Sequence, residues 1–175
     1  MPDRALLRQL TRYTQWADDV VLTNAAQLPI EALEAERDTL FGSIAGTLDH
    51  ILVVAEMFEA HLEGRTHPHT ARRRAHPLPF AEVADRLRAM DAQFVARSDA
   101  WDEEALAEPI EFTFVDGGAG RMTRAEILMH LTNHATYHRG FVSTLVYPSP
   151  VDSRPNDYTV FLRDAWPAIA ATLPD

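Results

Sequence analysis

The fold this sequence predicts is an all-α four-helix bundle with one extra C-terminal helix, and three observations carry it. Apolar residues recur at the 3.6-residue period of core-facing helices in long stretches. Capping residues open those stretches, and glycine or proline closes them. At 175 residues, 46% hydrophobic and 24% charged, the chain has the size and balance of one globular domain, taken here as residues 1–175.

Asp3 is a capping residue for the first helix, whose stripe is Leu6, Leu7, Leu10, Tyr13, Trp16, Ala17, Val20, Val21 and Ala25. It stops near Leu28-Pro29, and the acidic stretch Glu31 to Arg37 reads as a short connecting helix. Ser43 caps a second long helix carrying Ile44, Leu48, Ile51, Leu52, Ala55, Phe58 and Leu62, ending near Gly64. Residues 65–79 hold prolines and histidines without an apolar period and read as a loop. The third helix runs from about Phe80 to Trp101 on Val83, Leu87, Met90, Phe94 and Val95. Ile110 to Val115 then alternates at period two before Asp116-Gly117-Gly118, the pattern of a small β-hairpin or extended loop. Thr123-Arg124-Ala125-Glu126 is a capping box opening the fourth helix, which ends before Pro148-Ser149-Pro150. A last helix, about Asp157 to Thr172 with a kink expected at Pro167, brings Val160, Phe161, Ala165, Trp166 and Ile169 to the core.

Composition removes several functions. The chain has no cysteine, so disulfides, thiolate ligands and a protein-borne thiol nucleophile are excluded, and thiol chemistry would need a thiol from outside. A formal charge of −10 argues against a nucleic-acid partner, and the basic run Arg72-Arg73-Arg74 reads as solvated surface. No apolar run approaches a bilayer span, the densest being Ile51 to Ala55. With an amphipathic start directly after Met1-Pro2-Asp3-Arg4, this predicts a cytoplasmic protein without a membrane partner.

The chemistry concentrates in Asn133-His134-Ala135-Thr136-Tyr137-His138-Arg139-Gly140. Histidines at i and i+4 stand one above the other on a helix face, close enough to share a metal ion. With Ile127 as the zero of the apolar stripe, His134 falls roughly 20° to one side and His138 roughly 20° to the other, whereas His130 lies about 60° away on the flank. His134 and His138 therefore face the bundle interior, where an unpaired imidazole is costly. The motif lacks the intervening glutamate of the H-E-x-x-H metalloprotease helix. His50, in the apolar helix containing Thr47-Leu48-Asp49-His50-Ile51-Leu52, is the candidate third ligand. His61 shares its stripe but lies roughly 16 Å further along, which suits a surface position or the mouth of a pocket. His67, His69 and His76 receive no role. Three neutral imidazoles would leave a cation its full charge and an open position, lowering the pKa of bound water or of an added thiol. Nitrogen ligands suit Zn²⁺ and Ni²⁺ alike.

These residues carry a family resemblance. Leu10-Thr11-Arg12-Tyr13-Thr14-Gln15-Trp16-Ala17-Asp18 resembles the first-helix signature of the DinB/YfiT-like superfamily. Ser43-Ile44, Thr47-Leu48 and His50-Ile51 resemble its second-helix motif, and His130, Asn133, His134 and His138-Arg139-Gly140 its third and most specific one. Asp157-Tyr158-Thr159-Val160-Phe161-Leu162-Arg163 is similar to its closing helix. The resemblance implies an up-down-down-up bundle, a homodimer, and a divalent metal held by His50, His134 and His138. It also implies chemistry of the kind run by relatives that use low-molecular-weight thiols such as bacillithiol or mycothiol. Two positions depart from the pattern: Phe141 stands where a glutamine often follows His-Arg-Gly, and Asp18 where asparagine is usual.

The expected function is therefore a metal-dependent transferase that activates an exogenous thiol for attack on an electrophilic small molecule. Asn133, Tyr137 and Arg139 are candidates for orienting the ligands, with Arg139 equally able to pair with Asp18 or Asp157. The alternatives are a non-catalytic bundle with a structural or sensing metal, or a metal-dependent hydrolase. Hydrolysis needs a carboxylate base, and the nearest in sequence, Asp49 and Glu126, lie off the stripe centre.

Overall fold

The computed structural model describes residues 3–173; Met1, Pro2, Pro174 and Asp175 lie outside the described residues. Four long helices form the bundle: α1 (Arg4–Ala25), α3 (Ile44–Leu62), α4 (Phe80–Ala100) and α6 (Arg124–Val146). Between them come α2 (Ile30–Glu34), α5 (Glu103–Ala107) and a hairpin of β1 (Pro109–Thr113) and β2 (Ala119–Thr123). Two short helices, α7 (Tyr158–Asp164) and α8 (Trp166–Ala170), close the chain. The predicted capping residues act as such. The Asp3 side chain accepts from the Ala5 N–H, Ser43 from Gly46, and the Thr123–Glu126 capping box is complete in both directions.

Side-chain pairs between helices fix their directions. Arg12 near the start of α1 pairs with Asp99 at the end of α4, while Asp19 meets Arg88, so α1 and α4 run antiparallel. Thr14 meets Thr132 and Asp18 meets Arg139, so α1 and α6 run parallel. Glu56 meets Arg86 and Glu59 meets Arg97, so α3 and α4 run parallel. The order is up-down-down-up, with α1 and α3 each packed against both α4 and α6.

The core has two main clusters along the bundle. One gathers Leu22, Ile44, Leu52, Leu87 and Val142; the other gathers Leu7, Phe58, Phe94, Leu128 and Leu131. A third lies on the outer side of α1, where Tyr13 and Ala17 receive the fully buried Phe161 of α7. Burying a side chain of that size stabilises by about 1.5–3 kcal/mol. The connection into α7 is tied to α1 because Asn24 exchanges two hydrogen bonds with the backbone of Arg154, at 2.8 and 3.0 Å.

The structure corrects several boundaries. The final helix does not kink at Pro167; it breaks at Ala165 into α7 and α8. Proline supplies no N–H for the carbonyl four residues back and its ring clashes there, but it is tolerated in a first turn, which is where α8 places it. The connecting helix is Ile30–Glu34, earlier than Glu31 to Arg37. Helix α5, capped by Asp102 onto Ala105 N–H, was not read from the sequence because five residues are too short to show a period. Leu6, placed on the α1 stripe, is exposed. No helix among the described residues is long and apolar enough to cross a membrane.

Candidate metal centre

His50 on α3 and His134 and His138 on α6 converge, with one ring nitrogen from each lying within 4.8 Å of the others. His50 and His138 are buried and His134 half-buried. Ring-to-ring separations are 4.9 Å for His50–His134, 4.6 Å for His50–His138 and 4.5 Å for His134–His138. The antiparallel crossing of α3 and α6 produces this meeting, since it sets the first half of α3, with His50, against the middle of α6, with His134 and His138.

The donor set suits a cation. His50 Nδ1 bonds the backbone carbonyl of Arg72 at 2.5 Å; a carbonyl only accepts, so in the neutral ring Nδ1 holds the proton and Nε2 the lone pair. That Nε2 lies 3.0 Å from His134 Nε2. Two nitrogens each ~2.0–2.1 Å from one ion stand about 3 Å apart when they meet it at roughly a right angle. His138 Nδ1 is buried with no hydrogen-bond partner, a polar atom whose burial the protein alone does not compensate. Burial, helped by the neighbouring imidazoles, pushes the His134 pKa down to about 3; burial and His50 take His138 to about 4. His50 is also lowered, mainly by burial, against the opposing hydrogen bond from Arg72. All three rings are therefore neutral near pH 7, the form in which imidazole binds metal.

Local sequence builds the support. Phe41 stacks on His50 at 3.9 Å and presents its edge to His138 at 5.3 Å. The chain brings Phe41 there by passing close over Gly46, where a Cβ would lie 2.2 Å from the Phe41 carbonyl oxygen. Glycine is thus required at 46 for the close approach. Arg74 anchors the 65–79 loop against α3 through Asp49 at 2.5 Å and Glu56 at 2.7 Å, while His69 joins the same Glu56.

The histidine cluster lies at the wall of a cavity of about 790 Å³ lined chiefly by apolar side chains, among them Val54, Met57, Phe58, Phe114 and Met122. That volume is typical of a small-molecule site. His130 lines it from the flank, 5.7 Å ring to ring from His134 and outside the triad, as its helical phase predicts. His61 is not a plain surface residue: it stacks on Phe112 at 4.5 Å and lines the cavity with His67. His76 is exposed.

Three expectations need correction. Arg139 does not orient a ligand; it is fully buried and pairs with Asp18 at 2.7 Å, not with Asp157, while bonding Thr136 and covering the Tyr13 ring. Asn133 is exposed on the outer side of α6. Tyr137 keeps a place beside the site, its ring 5.0 Å from His138 although the residue is 61% exposed. Nor is the run at 72–74 simply solvated: Arg74 is an anchor, the Arg72 carbonyl holds His50, and Arg72 and Arg73 line the cavity. The hairpin and the loop contributions were illegible in sequence, because they depend on which distant segments fold over α3. The only local signal was the clustering of histidines and arginines at 67–76.

Known proteins give the same picture. The DinB family profile matches residues 1–165. Protein DinB of Bacillus subtilis (strain 168) is 26% identical over 159 residues, covering 88% of this chain and 92% of that protein. The crystal structure of a DinB-like protein from Bacillus cereus ATCC 10987 shares the fold at a TM-score of 0.59 with 22% identity, covering 83% of this chain and 89% of that one. A bundle in this order, bearing a histidine cluster that could hold a metal ion and matched along nearly its whole length, belongs to the DinB family.

Proposed function

We propose that the protein is a divalent-metal-dependent transferase that joins an exogenous low-molecular-weight thiol to an electrophilic small molecule. The observation that carries this reading is the position of three neutral imidazoles, His50, His134 and His138, on the wall of an open apolar cavity. When bound there, a cation of the zinc or nickel type supplies Lewis acidity that lowers the pKa of a coordinating thiol. The Arg72 carbonyl and the Phe41 ring fix the orientation of His50, so its Nε2 is held ready rather than searching for a partner. Val54, Met57, Phe58 and Met122 offer apolar surface for the carbon body of the electrophile and exclude water beside the histidines. The chain has no cysteine, so the nucleophilic sulfur comes from outside. The proposal takes a homodimer in the cytoplasm as the working form.

The alternatives are less well supported. Among the described residues no carboxylate lines the cavity, Asp49 being engaged by Arg74 and Glu126 by the capping box, so a hydrolase would lack its general base there. A purely structural ion is expected in a closed donor set, whereas these three histidines border open space. The test is a panel of thiols against electrophiles, run with metal-loaded protein and with His134→Ala. Conjugation accelerated by the loaded protein and lost in the variant supports the reading; no acceleration for any pair defeats it. The Co²⁺ absorption spectrum adds a second measure, since a spectrum that added thiol leaves unchanged favours a structural ion.

A further inference from the structure

We propose that the cavity selects amphiphilic anions, with an apolar body seated among Val54, Met57, Phe58 and Met122 and an acidic headgroup met by Arg72 and Arg73. The first ground is charge distribution. The chain carries 26 acidic residues and a net charge of −10, yet among the described residues no acid lines the cavity. Its charged lining residues are Arg72 and Arg73. A protein that would repel an anion at long range therefore presents a locally cationic, acid-free recess.

The second ground is availability. Arg74 is engaged by Asp49 and Glu56, but no ion pair joins Arg72 or Arg73 to a carboxylate among the described residues. The one hydrogen bond from the Arg73 guanidinium, to the Leu40 carbonyl, is long at 3.5 Å. Both guanidiniums retain donors for a carboxylate, sulfonate or phosphonate, groups whose geometry suits the arginine fork.

The third ground is the footing of the loop. The Arg72 carbonyl accepts from His50, Arg74 is bound twice to α3, and His69 is bound to Glu56. The backbone presenting the two arginines is thus ordered before any guest arrives, which reduces the entropy lost on binding. Leu40, beside Arg73, and Phe114 and Tyr137 add exposed apolar surface to the lining, so the recess combines a cationic edge with apolar walls. Two neighbouring guanidiniums can meet one anionic headgroup with several charge-assisted hydrogen bonds.

This inference rests on the reading of the cavity as a substrate site but does not need the metal, so it is tested on chelator-treated protein. Decanoate, decan-1-ol and decylamine share one apolar body and differ in headgroup charge, and their binding is measured by calorimetry to wild type and to the Arg72→Gln/Arg73→Gln double variant. Both arginines are exposed, so the variant is expected to fold, and its circular dichroism and Tm are compared with wild type. Decanoate should bind wild type about tenfold more tightly than either analogue, a difference worth about 1.4 kcal/mol. The double variant should lose that preference while its affinity for decan-1-ol stays unchanged. Decanoate binding no tighter than decan-1-ol, failing to bind at all, or keeping its preference in the variant would overturn the proposal. A preference that appears only when Zn²⁺ is added back, and that survives in the variant, belongs to the histidine site and would likewise overturn the proposal. Loss of the metal reading would leave the metal-free comparison intact, so the two failures are distinguishable.

Discussion

His134 and His138 combine two properties that ordinarily conflict, deep placement and titratable nitrogen. Burial holds their pKa values at about 3 and about 4, against 6.5 in the unfolded chain. Below pH 6.5 the unfolded chain therefore binds protons that the folded protein refuses. The contribution to stability is full above the unfolded value and is lost as pH falls toward the folded ones. Metal-free protein is expected to show a falling urea midpoint between about pH 7 and about pH 5, with a shallower fall in His134→Gln, where one of the titrating groups is gone. Identical pH profiles for the two proteins would show that His134 is not held neutral. These two histidines were legible as a pair from helical phase alone. His50 was legible as a candidate only, because the pairing of its helix with α6 is a long-range event. Arg139 was ambiguous between two carboxylates in sequence, and the docking of α1 alongside α6 decided for Asp18.

At the scale of elements, the segment before α3 and the loop after it do the work of holding the site. Phe41 reaches His50 only because Gly46 leaves room for the Phe41 carbonyl. Gly46→Ala should destabilise the fold by about 1–3 kcal/mol, the range for forced overpacking, and weaken metal binding by displacing the stacked ring. Urea unfolding and metal titration check both, and an unchanged midpoint would mean that the segment shifts freely. The α6 capping box offers an independent test at the other end of the ligand helix. Thr123→Ala should cost about 1 kcal/mol by leaving the Glu126 N–H uncapped, with metal stoichiometry unchanged because the histidines lie more than two turns away. Sequence periodicity exposes long amphipathic helices well, which is why α1, α3, α4 and α6 were readable. It says little about α5, about the break at Ala165, or about the hairpin's role as a cavity wall. Those features depend on five-residue segments and on where they dock.

Across the whole molecule, a buried polar cluster ties the bundle together beneath the candidate site. Asp18 of α1, Asp91 of α4 and Arg139 of α6 are all buried in the interior, and the Asp18 and Asp91 carboxyls each keep one buried oxygen without a hydrogen-bond partner. Two neighbouring buried carboxyls resist ionising together, and burial followed by the Asp18 charge pushes the Asp91 pKa well up. The folded state thus keeps a proton that the unfolded chain releases near 3.8, so this group's contribution declines as pH rises from there toward the folded value. Asp91→Asn, which keeps the shape of the side chain without the ionisable group, should be as stable as wild type or more so at neutral pH. Arg139→Gln should instead cost about 3–5 kcal/mol, because it leaves Asp18 buried without its counter-charge. Thermal unfolding of the two variants side by side reads both outcomes, and a greater loss in Asp91→Asn than in Arg139→Gln would contradict the proton assignment. The bundle assembled in this way brings together His50, His134 and His138, and the proposed function requires that they hold one divalent cation. The most direct test is the metal content of protein purified without a polyhistidine tag, alongside His50→Ala, His138→Ala and the flanking His130→Ala. Bound divalent metal is expected in wild type and His130→Ala, with its loss in His50→Ala and His138→Ala; equal metal content in all four proteins would rule out a site built from these three histidines.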